Sequence, residues 1–587
     1  MPSRGEAMSS TSTLARWRLA AIGIALIVFG GLVAHLTQTT GGIKIQDIRF
    51  KGAKGNTMSA LLYIPPNATT QKPAPGILAV HGYINSRETQ SGFAIEFARR
   101  GYVVLALDQT GHGYSDPPAF ANGFGGPDGL AYLRSLPFVD KSNIGLEGHS
   151  MGGWTVLAAA AAMSNDYKAM VLEGSSTGKP FAADGTPTWP RNVALVFAKY
   201  EEFPQLMWGV ARARDVVNSP KLLAFFGTNS TVEPGKVYGD IAQGTACVLY
   251  TPYITHPAEH ISHVAIGHSI DWFAKTLQGA EPIPANQQIW FRKEFGTLVA
   301  FAGFVVLMLG AFQLLLALPA FSVLALPVPV DSTEPTPLPR DGAWWRTLWL
   351  TALVPAILYY PVFALAANTI KASPYLPQGI TNQIATWALV NAILTLILLR
   401  FSQKRASRAG VILPSILIAI ATVGIGYLSL ALADLLFKID FRFWIVALKL
   451  MSGKQAIMFL IYLIPFIVFF IVALHAIRRN LYRPGESALA TYTTCMAALA
   501  LGFFALCIVQ YAALWMDGRL IDLAPTIISS VPLNTIIATQ FAPLLAVLGV
   551  IAAFTIRKTG TSLPGALICA LFITWYIVAG QATQAPF

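Results

Sequence analysis

The sequence predicts an α/β domain built on a mainly parallel sheet with an inserted cap, preceded by one transmembrane helix and followed by an eight-helix all-α membrane domain. Three observations predict it. Only 12% of the 587 residues are charged and 54% are hydrophobic, with a mean hydropathy of +0.54, whereas soluble globular chains carry about 25% charged residues. A first apolar run from Trp17 to Leu36 gives way to ordinary soluble composition between 40 and 290, and long apolar runs resume after Phe295. Within the soluble stretch, short apolar runs alternate with helix-like segments, the rhythm of a mainly parallel sheet. High apolar content and only four cysteines exclude a disordered, collagen-like or disulfide-stapled chain.

The first run has roughly the 20 residues that a hydrocarbon core of about 30 Å requires. Further spans are predicted near 296–318, 345–367, 382–400, 411–436, 456–477, 488–515, 533–555 and 564–583. Lys and Arg orient them. With nine spans, Arg4, Arg16 and Arg18 fall on the same side as Arg340 and Arg346, the group Arg400, Lys404, Arg405 and Arg408, the group Arg478, Arg479 and Arg483, and the pair Arg557 and Lys558. The opposite loops hold the fewer, dispersed Lys371, Lys438, Arg442, Lys449, Lys454 and Arg519, and Arg292 with Lys293 count mildly against the tally. The N-terminus is therefore expected in the cytoplasm, with the soluble domain and the C-terminus outside. A cleaved signal peptide is the other reading of the first run, and it leaves the rest unchanged. The net charge of +12 is largely accounted for by the cytoplasmic loops, so the expected partner is the lipid bilayer and not nucleic acid.

The expected division is 1–40 (cytoplasmic N-terminus and first span), 41–285 (outer α/β domain) and 290–587 (membrane domain). Strands are predicted at Ile43–Phe50, Ser59–Ile64, Gly76–Val80, Val103–Leu107, Ile144–Leu146, Met170–Leu172, Leu222–Phe226 and Cys247–Tyr250, with helices near 87–100, 124–135, 151–164 and 262–278. The stretch from about 177 to 218 interrupts the rhythm, and with Trp189, Phe197, Tyr200, Phe203 and Trp208 it reads as a cap. Cys247 is the outer domain's one cysteine, so no disulfide forms within it.

Gly148-His149-Ser150-Met151-Gly152 stands between a predicted strand and an Ala-rich helix, the context a G-x-S-x-G nucleophile elbow needs. The turn must be sharp enough to expose the serine, and the helix that follows aims amides at a developing oxyanion. Val80-His81-Gly82-Tyr83 follows one buried strand, and Asp108-Gln109-Thr110-Gly111-His112-Gly113-Tyr114-Ser115-Asp116 follows the next. Together these landmarks resemble the α/β-hydrolase superfamily over about 45–280. The resemblance implies a serine hydrolase with its triad in the chain order nucleophile, acid, histidine, and an oxyanion hole formed by the amides of Met151 and Tyr83.

It also implies a histidine after the last strand. His256 is favoured and His260 is the alternative, because His263 and His268 fall on a helix that Ser262 would cap. For the acid, Glu173 at the end of Met170–Leu172 is favoured and Glu233 is the alternative, since Asn229 and Ser230 stand where an aspartate would be sought. No cofactor or metal ligand set is expected. The predicted activity is cleavage of a carboxylic ester, lipidic or lipid-linked substrates included, through an acyl-enzyme on Ser150. A serine peptidase or acyltransferase is the rival enzyme class, and a transporter or channel with a hydrolase-like regulatory domain is the rival outside enzymes. The segment from Asp440 to Met451, with Phe441, Phe443 and Trp444 among Arg442 and Lys449, is predicted to be an interfacial helix beside the catalytic mouth. Substrate identity and oligomeric state do not follow from the sequence.

Overall fold

The computed structural model describes residues 4–325, 339–399, 410–523 and 531–587, with backbone alone for 4–15 and 399. The Arg400, Lys404, Arg405 and Arg408 group and the Arg4 side chain therefore lie outside the described residues. Nine strands form one sheet: β1 (Lys44–Lys51), β2 (Thr57–Ile64), β3 (Ala74–Val80), β4 (Val103–Asp108), β5 (Val139–His149), β6 (Ala169–Glu173), β7 (Val193–Val196), β8 (Val237–Tyr238) and β9 (Cys247–Tyr250). Their order is β1-β2-β4-β3-β5-β6-β7-β9-β8, parallel from β4 through β9 with β1, β2 and β8 antiparallel. Strands β3, β4, β6 and β7 are buried throughout, as parallel strands covered by helices on both faces must be. The flanking helices are α2 (Ser91–Arg99), α3 (Gly126–Ser135), α4 (Met151–Ala162), α5 (Pro204–Trp208), α6 (Pro220–Phe226) and α7 (His263–Thr276).

Two expectations change here. Leu222–Phe226 is the body of helix α6 and not a strand: Ser219 and Pro220 start it and Gly227, at φ 63°, ends it, the usual placement of proline and glycine at helix ends. The sheet position belongs to β7, a β-branched run inside the stretch assigned to the cap, which fits between β6 and β9 with all four residues fully buried.

The remaining helices are α1 (Arg4–Gln38), α8 (Trp290–Leu316), α9 (Gly342–Ile357), α10 (Tyr359–Thr369), α11 (Gly379–Leu399), α12 (Ile412–Phe437), α13 (Gly453–Asn480), α14 (Ala488–Asp517), α15 (Val531–Thr559) and α16 (Leu563–Gly580). Counting α9 and α10 as one span bent just past Pro355, nine helices among the described residues are long and apolar enough to cross a membrane. Helix α1 is seated on α8 along Gly23, Gly30, Gly296, Gly303 and Gly310; a Cβ at Gly30 would stand 2.3 Å from the Gly296 carbonyl oxygen. Such stripes of small residues let apolar helices approach closely where lipid offers no hydrophobic drive.

Alternate ends of these helices meet the sheet domain. Glu96 accepts from the amide of Trp290 at 3.0 Å at the start of α8. Tyr114 Oη donates to the Leu450 carbonyl at 3.1 Å, Lys454 lies 3.1 Å from Asp116, and Arg212 lies 2.9 Å from Asp517 at the end of α14. After α16 the chain bonds to the loop beyond β4: Thr583 donates to the Gly111 carbonyl at 2.8 Å and accepts from the Ala119 amide at 2.7 Å. The predicted interfacial helix is instead a hairpin of β10 (Phe441–Phe443) and β11 (Val446–Leu448). Phe441 and Leu448 form a buried pair in register, so cross-strand pairing overrides the helical reading. Its cations turn to the sheet domain: Arg442 donates to Thr89 Oγ1 at 3.2 Å and Lys449 lies 2.8 Å from Glu88.

Candidate active site

Ser150 sits between β5 and α4 at φ 54°, ψ −120°, a conformation that a non-glycine residue holds only where its surroundings enforce it. Its amide donates to the Glu173 carbonyl at 2.8 Å, and its carbonyl accepts from the Gly153 amide at 2.9 Å. The flanking glycines are steric necessities. A Cβ at Gly148 would stand 2.3 Å from the Gly152 carbonyl oxygen, and one at Gly152 would stand 2.1 Å from that of Val80. The same crowding brings the loop after β3 over Ser150, since a Cβ at Gly82 would lie 3.2 Å from Ser150 Cβ.

That loop is held by buried polar groups. His81 donates from Nδ1 to the Gly82 carbonyl at 2.6 Å and accepts the Gln109 amide at Nε2 at 3.2 Å. Gln109 in turn accepts from Thr155 Oγ1 of α4 at 2.6 Å. Burial holds the His81 imidazole down at about 4, so it is a neutral brace. Tyr83, next along the loop, accepts from Gln584 Nε2 at 2.6 Å, a contact made by the end of the chain.

His256 follows β9, six residues beyond Tyr250, and is 4% exposed. Its Nδ1 lies 2.8 Å from Glu201 Oε1, close but not aligned as a good hydrogen bond. Glu201 leaves the carboxyl end of β7 and is fully buried. Burial pushes His256 down to about 3 and the Glu201 carboxyl well above the usual range, so both shifts favour an uncharged resting pair. Glu202 fixes the backbone behind it: Oε2 accepts the His256 amide at 2.8 Å, and Oε1 accepts from Tyr511 Oη of α14 at 3.0 Å. His149, the second residue of the elbow, donates from Nε2 to the His256 carbonyl at 3.0 Å and lies 3.3 Å from Glu259.

The other predicted residues fall as follows. Met151 begins α4 directly after Ser150. His260 packs its ring 3.9 Å from His149 and edge-on to Phe93, and neither ring nitrogen has a hydrogen-bond partner. Glu173 closes β6 opposite His149 in the sheet, but its carboxylate turns to Ser269 of α7, which donates to Oε1. It is not brought to His256. Glu233 is on the surface, 2.7 Å from Lys236. His263 and His268 are on α7, which Ser262 caps by accepting the Ala265 amide at 3.2 Å. The acid beside His256 is thus Glu201, which sequence reasoning missed. Its signal was the run Val193-Ala194-Leu195-Val196-Phe197, a strand pattern just ahead of two adjacent carboxylates. Ligand atoms of His149, His256 and Glu259 lie within 4.8 Å of one another, the single such group among the described residues; the contacts just given tie all three into the network behind the elbow.

A cavity of about 330 Å³ opens on Ser150, within the range of about 300–1,000 Å³ common for ligand sites. The sheet domain lines it with Tyr83, Phe120, Trp154, Phe181, Phe203 and Leu206 beside the elbow and His256. The opposite wall is Ile380 of α11, Ile445 of the hairpin, Leu533, Ile536 and Gln540 of α15, and Gln584.

Residues 75–207 match the family described as alpha/beta hydrolase fold. A monoacylglycerol lipase of Mycolicibacterium smegmatis is 30% identical over 179 residues, 29% of this chain and 61% of the lipase. The chain thus spans about three fifths of the length of that curated relative. Among solved structures, an esterase of Pyrococcus furiosus is 17% identical, covering 41% of this chain and 96% of its own with a TM-score of 0.30. The Pyrococcus horikoshii acylaminoacyl peptidase is 15% identical, covering 42% and 44%, with a TM-score of 0.30. The chain contains an α/β-hydrolase segment.

Proposed function

We propose that the protein is a membrane-embedded serine hydrolase that cleaves a carboxylic ester outside the cytoplasm. The observation that carries this reading is the strained Ser150 elbow at the floor of a cavity that also contains His256, itself backed by Glu201. Ser150 Oγ attacks the ester carbonyl while its proton passes to His256 Nε2. With Glu201 ionised, its carboxylate faces the Nδ1–H side of His256 and then the imidazolium that forms as Nε2 takes the serine proton. The attraction within that ion pair offsets the burial that resists both charges. The Nδ1–Oε1 contact is of the kind that tightens once substrate is bound. The amides of Met151 and Tyr83 receive the oxyanion, each worth about 2.7–4 kcal/mol of barrier by analogy with measured donors. The alcohol leaves with the proton from His256, and water repeats the sequence on the acyl-enzyme.

The placement rests on charge. Helix ends remote from the sheet domain carry Arg346, Arg478, Arg479, Arg557 and Lys558, while several cations at the near ends are matched by acids, as Lys449 is by Glu88 and Lys454 by Asp116. This supports a cytoplasmic N-terminus with the hydrolase segment on the outer side. The test is labelling of detergent-solubilised protein with a fluorophosphonate, alongside ester hydrolysis. We expect Ser150 to be labelled and Ser150→Ala to lose both signals. Unlabelled, folded wild-type protein would overturn the mechanism.

A further inference from the structure

We infer that the membrane helices form the acyl-chain site of this enzyme: an ester of a bilayer-resident lipid places its carbonyl at Ser150 and its hydrocarbon tail against Ile380, Leu533 and Ile536, arriving from the membrane and not from water. The inference rests on the serine-hydrolase reading above and adds the substrate class and its route.

Three observations carry it. The cavity is continuous from the nucleophile to the helical part, with Leu533, Ile536 and Gln540 descending along α15. At about 1.5 Å per residue, Gln540 stands about 13.5 Å along that helix from Val531, so this wall of the cavity runs over more than two turns of α15. Second, among the described residues no Asp, Glu, Lys or Arg lines the cavity. A charged substrate would lose its hydration there without a counter-charge to replace it. A hydrocarbon tail loses nothing of the kind. At the far end Gln540 Oε1 is already taken, accepting from Tyr576 Oη at 2.6 Å. Third, the sheet-domain rim is apolar and open: Phe120, Phe181 and Leu206 line the cavity yet are 41%, 45% and 40% exposed. Large apolar side chains gathered at one mouth mark a contact with something apolar, and at the ends of nine apolar helices that is the bilayer surface.

The experiment uses the full chain in lipid vesicles and two alkyl fluorophosphonates, one short-chained and one long-chained with a photoreactive group at its terminus. We expect both to form the Ser150 adduct, and illumination of the long-chain adduct to cross-link residues within 379–399 and 531–559. Cross-links confined to the sheet domain, or a Ser150 adduct with the short probe only, would overturn the acyl-site inference while leaving the hydrolase reading intact. No adduct with either probe would remove both. In parallel, Ile536→Trp and Ile380→Trp, on different helices, should lower the ratio of long- to short-chain kcat/KM about tenfold; an unchanged ratio in both would count against the site.

Discussion

The two walls of the cavity are built from different materials. Behind Ser150 the sheet domain buries His149, His256, His260, Glu201, Glu202 and Glu259 within a few ångströms of one another, nearly all without access to water. Facing it, the described residues of the helical part contribute isoleucine, leucine and glutamine and no charge. The difference teaches a division of labour. Proton transfer needs titratable groups whose burial shifts them, and a parallel sheet supplies these because its loops converge at the carboxyl edge. On the reading proposed above, holding an apolar tail needs area without polar groups, which long apolar helices possess.

Removing chemistry from the first wall should have the largest effect. Ser150→Ala is expected to lower kcat by about 10³- to 10⁶-fold, read by ester hydrolysis and loss of fluorophosphonate labelling. Next, Glu201→Gln should cost about 10³- to 10⁴-fold in kcat, whereas Glu173→Gln, which alters only a contact to Ser269, should cost less than about tenfold. Kinetics in which Glu173 proved the costlier of the two would reverse our assignment of the acid.

The pH profile sharpens the comparison further. Protonation of His256 removes the base, and burial holds that imidazole at about 3 instead of its usual 6.5. The acid limb of kcat/KM should therefore lie below pH 6.5, with activity at pH 5 close to that at pH 7; a limb centred at 6.5 would mean a solvated histidine. The same burial has a stability consequence. Between about pH 3 and 6.5 the unfolded chain binds the His256 proton and the folded chain does not, so this group makes stability fall as pH falls through that window.

Contacts that join the two walls should matter less. Tyr511→Phe removes the hydrogen bond from α14 to Glu202 and leaves Glu202 bonded to the His256 amide. A typical net hydrogen bond is worth about 0.5–1.5 kcal/mol, so kcat should drop about three- to tenfold with little change in KM. Gln584→Leu, which removes the contact to Tyr83 Oη but leaves its backbone amide in place, should have the smallest effect, about twofold in kcat/KM. A Gln584 variant more damaging than Tyr511→Phe would show that the chain's last residues govern the oxyanion loop.

Much of the site was legible along the chain because its parts are local. The elbow is a run of five adjacent residues, although Gly152 answers to Val80 on another strand, and His256 follows closely on a strand with its own apolar signature. Glu201 was hidden by one misplaced strand: Leu222–Phe226 is as apolar as Val193–Val196, and only the Ser219-Pro220 start and Gly227 stop distinguish a helix there. The hairpin at 441–448 was misread for a similar reason, since seven aromatic and aliphatic residues around Arg442 suit a surface helix or a ribbon equally until a partner is known.

The sequence by itself determined that apolar helices flank an α/β segment, that a serine stands at a strained strand–helix turn, and that positive charge gathers at alternate helix ends. Each of these is set by periodicity, by composition or by residues adjacent in the chain. Only the tertiary structure decided that Glu201 and not Glu173 meets His256, that Tyr511 and Gln584 reach the catalytic loops, and that Ile380 and Ile536 face Ser150 across one cavity. Those pairings join segments up to several hundred residues apart. Contact at that separation is settled by how the helical part and the sheet domain pack against each other, which no local pattern encodes.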